Sequence, residues 1–69
     1  MKVSARNSLK GKVKEVTLGT VNTEIVIEIA PGVEVTSIIT KSSCDSMGIE
    51  VGKEVYAIVK STDVLIGVE

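Results

Sequence analysis

The sequence has no histidine, tryptophan or phenylalanine, and only one tyrosine, one cysteine and one proline among its 69 residues. Each shortage removes a chemistry. Without histidine there is no imidazole general base and no Ser-His-Asp triad. One cysteine and no histidine leave a Cys/His zinc site without ligands, and no disulfide can close within the chain. The lone Cys44 suits a reducing compartment. One aromatic ring, Tyr56, is no platform for stacking bases, and eight Lys/Arg against nine Asp/Glu give a formal net charge of −1, not the basic surplus of a nucleic-acid binder. No apolar run approaches the roughly 18 residues of a membrane span, and the opening Met-Lys-Val-Ser-Ala-Arg-Asn leads into Ser-Leu-Lys-Gly-Lys rather than a signal-peptide apolar core. A soluble, cytoplasmic chain is expected.

β-branched residues are plentiful. Val, Ile and Thr make up 26 of the 69 residues, and these fit a pleated, half-buried surface. A chain this short buries only about 60% of its unfolded surface and forms one domain, residues 1–69. With few large side chains, no disulfide and no metal site, the remaining route to stability is self-association. An oligomer is therefore expected.

The strands follow from period-2 alternation. Val21 to Ala30 places Val21, Thr23, Ile25, Ile27 and Ile29 on one face, with Asn22, Glu24, Val26, Glu28 and Ala30 on the other. Pro31-Gly32 turns the chain into Val33 to Thr40, forming a hairpin. Upstream, Ser8 to Leu18 is a longer strand with Leu9, Val13 and Thr17 on one face, Lys10, Lys12 and Lys14 on the other, and a bulge or bend at Gly11. A short strand at Lys2 to Arg6 precedes it. Ser42 to Gly48 opens with N-cap residues and stops at glycine, which predicts one or two helical turns capped by Ser42. Glu54 to Lys60 and Val64 to Val68 are the last strands. The class is all-β: a small OB-like five-stranded barrel, partly open, with one short helix between the third and fourth main strands.

Three polar clusters sit at strand ends: Ser4-Ala5-Arg6-Asn7, Thr40-Lys41-Ser42-Ser43 and Lys60-Ser61-Thr62. Hydroxyls, main-chain N–H groups at a helix start, Arg6 and Lys60 are all donors, which is what a fully deprotonated oxyanion requires. Each cluster also fits a plainer role. Ser and Thr at strand ends commonly serve as turns or caps, and terminal Lys or Arg as solvated edge charges. Cys44 reads as a small helix side chain, and Tyr56 as a residue of the barrel rim or a subunit contact.

Ser4-Ala5-Arg6-Asn7-Ser8-Leu9-Lys10-Gly11-Lys12-Val13 resembles the signature of the molbindins, the small molybdenum-pterin-binding proteins with a TOBE-type domain. Val21-Asn22-Thr23-Glu24, Thr40-Lys41-Ser42-Ser43, Val51 to Ala57 and Ile58 to Val64 continue the likeness across essentially the whole chain. The resemblance implies intracellular storage and homeostasis of molybdate or tungstate, held at subunit interfaces of a homohexamer built as a trimer of dimers. It implies no catalytic activity and no cofactor; the molybdenum is bound as its oxyanion, and the family name also refers to a pterin. Carried over by motif, the interface site uses Ser4, Ala5 and Arg6 from one subunit and Thr40, Ser43, Lys60 and Ser61 from its neighbour. A second site, on the threefold axis, falls at Thr20, Val21 and Asn22. The alternative is an OB-fold protein binding single-stranded nucleic acid, against which the lone tyrosine and the charge balance argue.

Overall fold

A computed structural model describes the chain from Met1 to Glu69. Its elements run β1 (Asn7–Leu18), β2 (Asn22–Ala30), β3 (Val33–Thr40), α1 (Lys41–Met47) and β4 (Glu54–Val59), followed by a 3₁₀ turn at Ser61–Asp63. The strands make one antiparallel sheet in the order β3-β2-β1-β4. The chain is mostly β with one short helix between the third and fourth strands, as its pattern predicts. No helix is long and apolar enough to cross a membrane.

Alternation in β2 turns Thr23, Ile25 and Ile27 into the interior and leaves Asn22 and Glu24 outside. Ala30 pairs with Val33, so Pro31 and Gly32 alone connect β2 to β3. Gly32 has φ 75°, and proline followed by a positive-φ glycine is the residue pair of a type II turn. In β3, Val35, Ser37 and Ile39 are half-buried, whereas Ile38 points to solvent.

β1 changes partner along its length. Asn7 to Lys12 pair with β4 and Lys12 to Leu18 pair with β2, so Lys12 lies opposite both Glu54 and Glu28. The sheet curls at this crossing. A Cβ on Gly11 would stand 2.6 Å from the Glu28 carbonyl oxygen and 2.8 Å from the Ile27 Cγ2, so only glycine admits so close a strand. The bulge expected at Gly11 lies instead between Val13 and Glu15, with Lys14 as the extra residue. One extra residue reverses the facing of all that follow. Val13 is buried, and beyond the bulge Val16 turns inward where Thr17 was expected to.

The helix is capped by Thr40, not Ser42. The Thr40 Oγ1 accepts from the Ser43 N–H at 3.1 Å, and Gly48, at φ 62°, closes the other end. Cys44 faces the sheet and joins Val13, Ile25, Ile27 and Ala57 in the core.

Four strands form, not five, and the sheet does not close into a barrel. β4 ends at Val59 opposite Asn7, so nothing remains to pair with Lys2–Arg6. Val64–Val68 is not a strand either. After the 3₁₀ turn the chain pairs with no strand, and Leu65, Ile66 and Val68 are 90%, 88% and 93% exposed. β3 and β4 are both free edges.

Candidate functional site

Because Asn7 pairs with Val59 in antiparallel register, the residues before β1 and those after β4 are brought side by side. They line an open cavity of about 260 Å³ formed by Ser4, Ala5, Arg6, Lys60, Ser61 and Thr62. Two cations and three hydroxyls therefore share one space, and no carboxylate lines it. Neither Arg6 nor Lys60 forms an ion pair; the ion pairs of the chain involve Lys10 and Lys14, with Glu54, Glu28 and Glu34. Lys60 immediately precedes the 3₁₀ turn at Ser61–Asp63.

The ion pairs on the outer face favour the charged form of both lysines. Glu54 accepts a hydrogen bond from Lys10 and adds its charge, which holds the Lys10 amine above its ordinary value. Glu34 does the same for Lys14.

Thr40 and Ser43 lie outside this cavity, at the end of the opposite edge strand. The Thr40 hydroxyl donates to the Ser43 Oγ at 2.8 Å while accepting from the Ser43 N–H. That N–H is thus consumed by the cap rather than offered to a ligand. The Ser43 hydroxyl, accepting from Thr40, keeps its own proton free to donate. Thr20 and Val21 lie in the exposed turn from β1 to β2, Asn22 opens β2, and the three meet this cluster directly. Asn22 pairs with Thr40, and the Lys41 N–H donates to the Val21 carbonyl at 2.7 Å.

The motif-matched residues therefore fall into two groups within one chain. Ser4, Ala5, Arg6, Lys60 and Ser61 are together; Thr40 and Ser43 sit with Thr20–Asn22 across the sheet. Lys60 and Ser61 thus share a cavity with Ser4–Arg6 of their own chain, whereas the motif match had assigned them to the neighbour. Thr62 also lines the cavity. Its signal in the sequence was its place in the Lys60-Ser61-Thr62 cluster.

In fold and donor set, the chain is a small curled β-sheet module with a cationic, carboxylate-free rim. The TOBE domain family matches residues 3–66. Over 66 residues the chain is 53% identical to molybdenum-pterin-binding protein 3 of Clostridium pasteurianum, spanning 96% of this chain and 97% of that protein. Among solved structures, MopII from Clostridium pasteurianum superposes with a TM-score of 0.91 at 49% identity, covering 97% of this chain and all of that one. A molybdate-binding protein from Sporomusa ovata superposes at 0.88 with 38% identity, covering 96% and 97%. The chain belongs to the TOBE-domain family of molybdenum-pterin-binding proteins.

Proposed function

We propose that this chain binds molybdate, or its near-isostere tungstate, and serves in the cytoplasm as an oxyanion store and buffer without catalysing a reaction. The observation that carries this reading is the cavity in which Arg6 and Lys60 stand without a carboxylate, beside Ser4, Ser61 and Thr62. A tetrahedral dianion offers acceptors only, so a rim made only of donors matches it, and a protonated anion such as hydrogen phosphate fits less well. Burying a dianion without compensation is very costly, and the two cations supply that compensation. Sulfate has the same charge and shape, so discrimination against it falls to cavity size.

The whole chain acts in this reading as one oxyanion-binding domain of a homohexamer, a trimer of dimers whose subunits have an OB-like barrel form. Thr40 and Ser43 of a neighbouring copy complete the coordination begun at Ser4–Arg6 and Lys60–Ser61. Thr20, Val21 and Asn22, exposed beside Thr40, line a second site on the threefold axis. The buried, unpaired thiol of Cys44 fits a reducing compartment. The single-stranded nucleic-acid alternative has no support among the relatives.

Isothermal titration with molybdate and with tungstate tests the reading. Saturable heat is expected with both anions. Arg6→Ala and Lys60→Ala are each expected to weaken binding by about ten- to a hundredfold, the worth of a hydrogen bond to a charged group. Absence of heat with either anion contradicts the proposal.

A further inference from the structure

α1 is too short to hold its own orientation. Its seven residues make about two turns, a length at which an isolated helix is unstable in water. It packs on β2 and β3, and Cys44 is its one buried side chain. A single buried contact locates a helix but leaves it free to tilt, so hydrogen bonds must fix its two ends. At the first end these are the Thr40 cap and the Lys41 N–H on the Val21 carbonyl.

The last turn has no basic residue of its own, although its carbonyls form the negative end of the helix dipole. The cation comes from further along the chain. The Lys53 Nζ donates to the Met47 carbonyl at 2.5 Å and to the Gly48 carbonyl at 3.3 Å. The main chain of the same residue is tied to the sheet. Its carbonyl accepts from the Val13 N–H at 2.9 Å, and the Gly52 N–H donates to the Val13 carbonyl at 2.8 Å. Val13 is the one buried residue of β1 and stands at the start of the bulge. Lys53 therefore joins the tail of α1 to the best-packed point of β1, and no ion pair of the chain draws its ammonium elsewhere.

We infer that Lys53 is a positioning residue for the oxyanion site: by pinning the C-terminal end of α1 to β1, it sets the placement of Thr40 and Ser43 at the opposite end. The inference rests on the reading in which Thr40 and Ser43 of one copy complete the coordination begun in another. The helix acts as a stiff rod about 10 Å long, so a tilt released at Gly48 is carried to Thr40. Hydroxyl hydrogen bonds to an anion tolerate little of that, because they weaken once the oxygens stand beyond about 3.0 Å. Lys53 itself sits at the far end of the helix from Thr40 and acts through the rod. A cation is required there because the clamp must serve two carbonyls at once, and a charged donor holds them more strongly than a neutral one.

Calorimetric titration of molybdate into the full chain tests the inference through a double-mutant cycle. Lys53→Met is expected to weaken binding about tenfold in the wild-type background and to add nothing when Thr40 is already alanine. Lys53→Arg, which keeps a cation with several donors, is expected to stay within about threefold of the wild type. A role in stability alone would lower the melting temperature of Lys53→Met and leave its molybdate affinity unchanged. That result overturns the inference, and so does an equal loss of affinity in both backgrounds. Hydrogen exchange on the wild type covers a variant that does not fold. Coupling between two sites is reciprocal, so saturating molybdate is expected to slow the amides of Ile49, Gly52 and Lys53 at least about threefold beyond any slowing in β2. Equal slowing in both places overturns the inference. A wild type that takes up no molybdate contradicts the oxyanion reading itself, an outcome distinct from all of these.

Discussion

Four of the eight lysine and arginine side chains divide into two pairs with different surroundings. Lys10 and Lys14 lie against Glu54, Glu28 and Glu34 on the outer face, whereas Arg6 and Lys60 stand at the cavity with no carboxylate. The first pair has a stated pH dependence. Both amines are held above the ordinary 10.5 by their glutamate partners. The stability they add is fully present below the unfolded lysine value and is lost as pH rises through the raised folded values. Because both are solvent-exposed, salt weakens the effect. Thermal melts at low salt are expected to show this contribution unchanged up to about pH 10 and declining above it. The decline should be shallower in Lys14→Gln; an identical decline in that variant contradicts the assignment. At Gly11 the issue is space. Gly11→Ala places a methyl 2.6 Å from a backbone oxygen, and relieving such overpacking costs about 1–3 kcal/mol. Urea unfolding should record that loss, and a variant as stable as the wild type refutes the close approach.

The elements differ in how far local pattern determines them. β2 was legible because its alternation holds from Asn22 to Glu28 and its turn, Pro31-Gly32, is written in residues with a fixed backbone preference, although Val21 falls outside the strand and the register shifts between Glu28 and Ala30. The bulge was misplaced because Gly11 and Lys14 break the strand for different reasons. Gly11 is needed for a neighbouring strand that only the fold supplies, while Lys14 is extruded by register, which leaves no mark on its side chain. The helix was placed within one residue, but its cap fell to Thr40 because the end of β3 runs straight into the first turn. Val64–Val68 has the pattern of a strand and lacks a partner in the chain; pattern reports what a segment can do, and pairing decides what it does. The cavity was half legible. Ser4–Arg6 and Lys60–Ser61 were both identified, but their union within one chain follows from the Asn7–Val59 register, which alternation alone does not specify.

For the whole molecule, the shortages in the sequence and the openness of the fold point the same way. A β-sheet with small and medium side chains, two free edges and five core residues leaves much of its apolar surface uncovered within the single chain. The same economy suits the proposed ligand. A site that stacks no base and shuttles no proton needs neither aromatic rings nor histidine, only donors held in place. The most direct measurement is native mass spectrometry of the protein with added molybdate, which reads subunit number and bound anions in one spectrum. The account predicts an even-numbered oligomer whose mass rises by whole molybdate units, and the loss of that rise in Arg6→Ala. An oligomer whose mass is unchanged by molybdate, or an Arg6→Ala protein that takes up as many anions as the wild type, would contradict it.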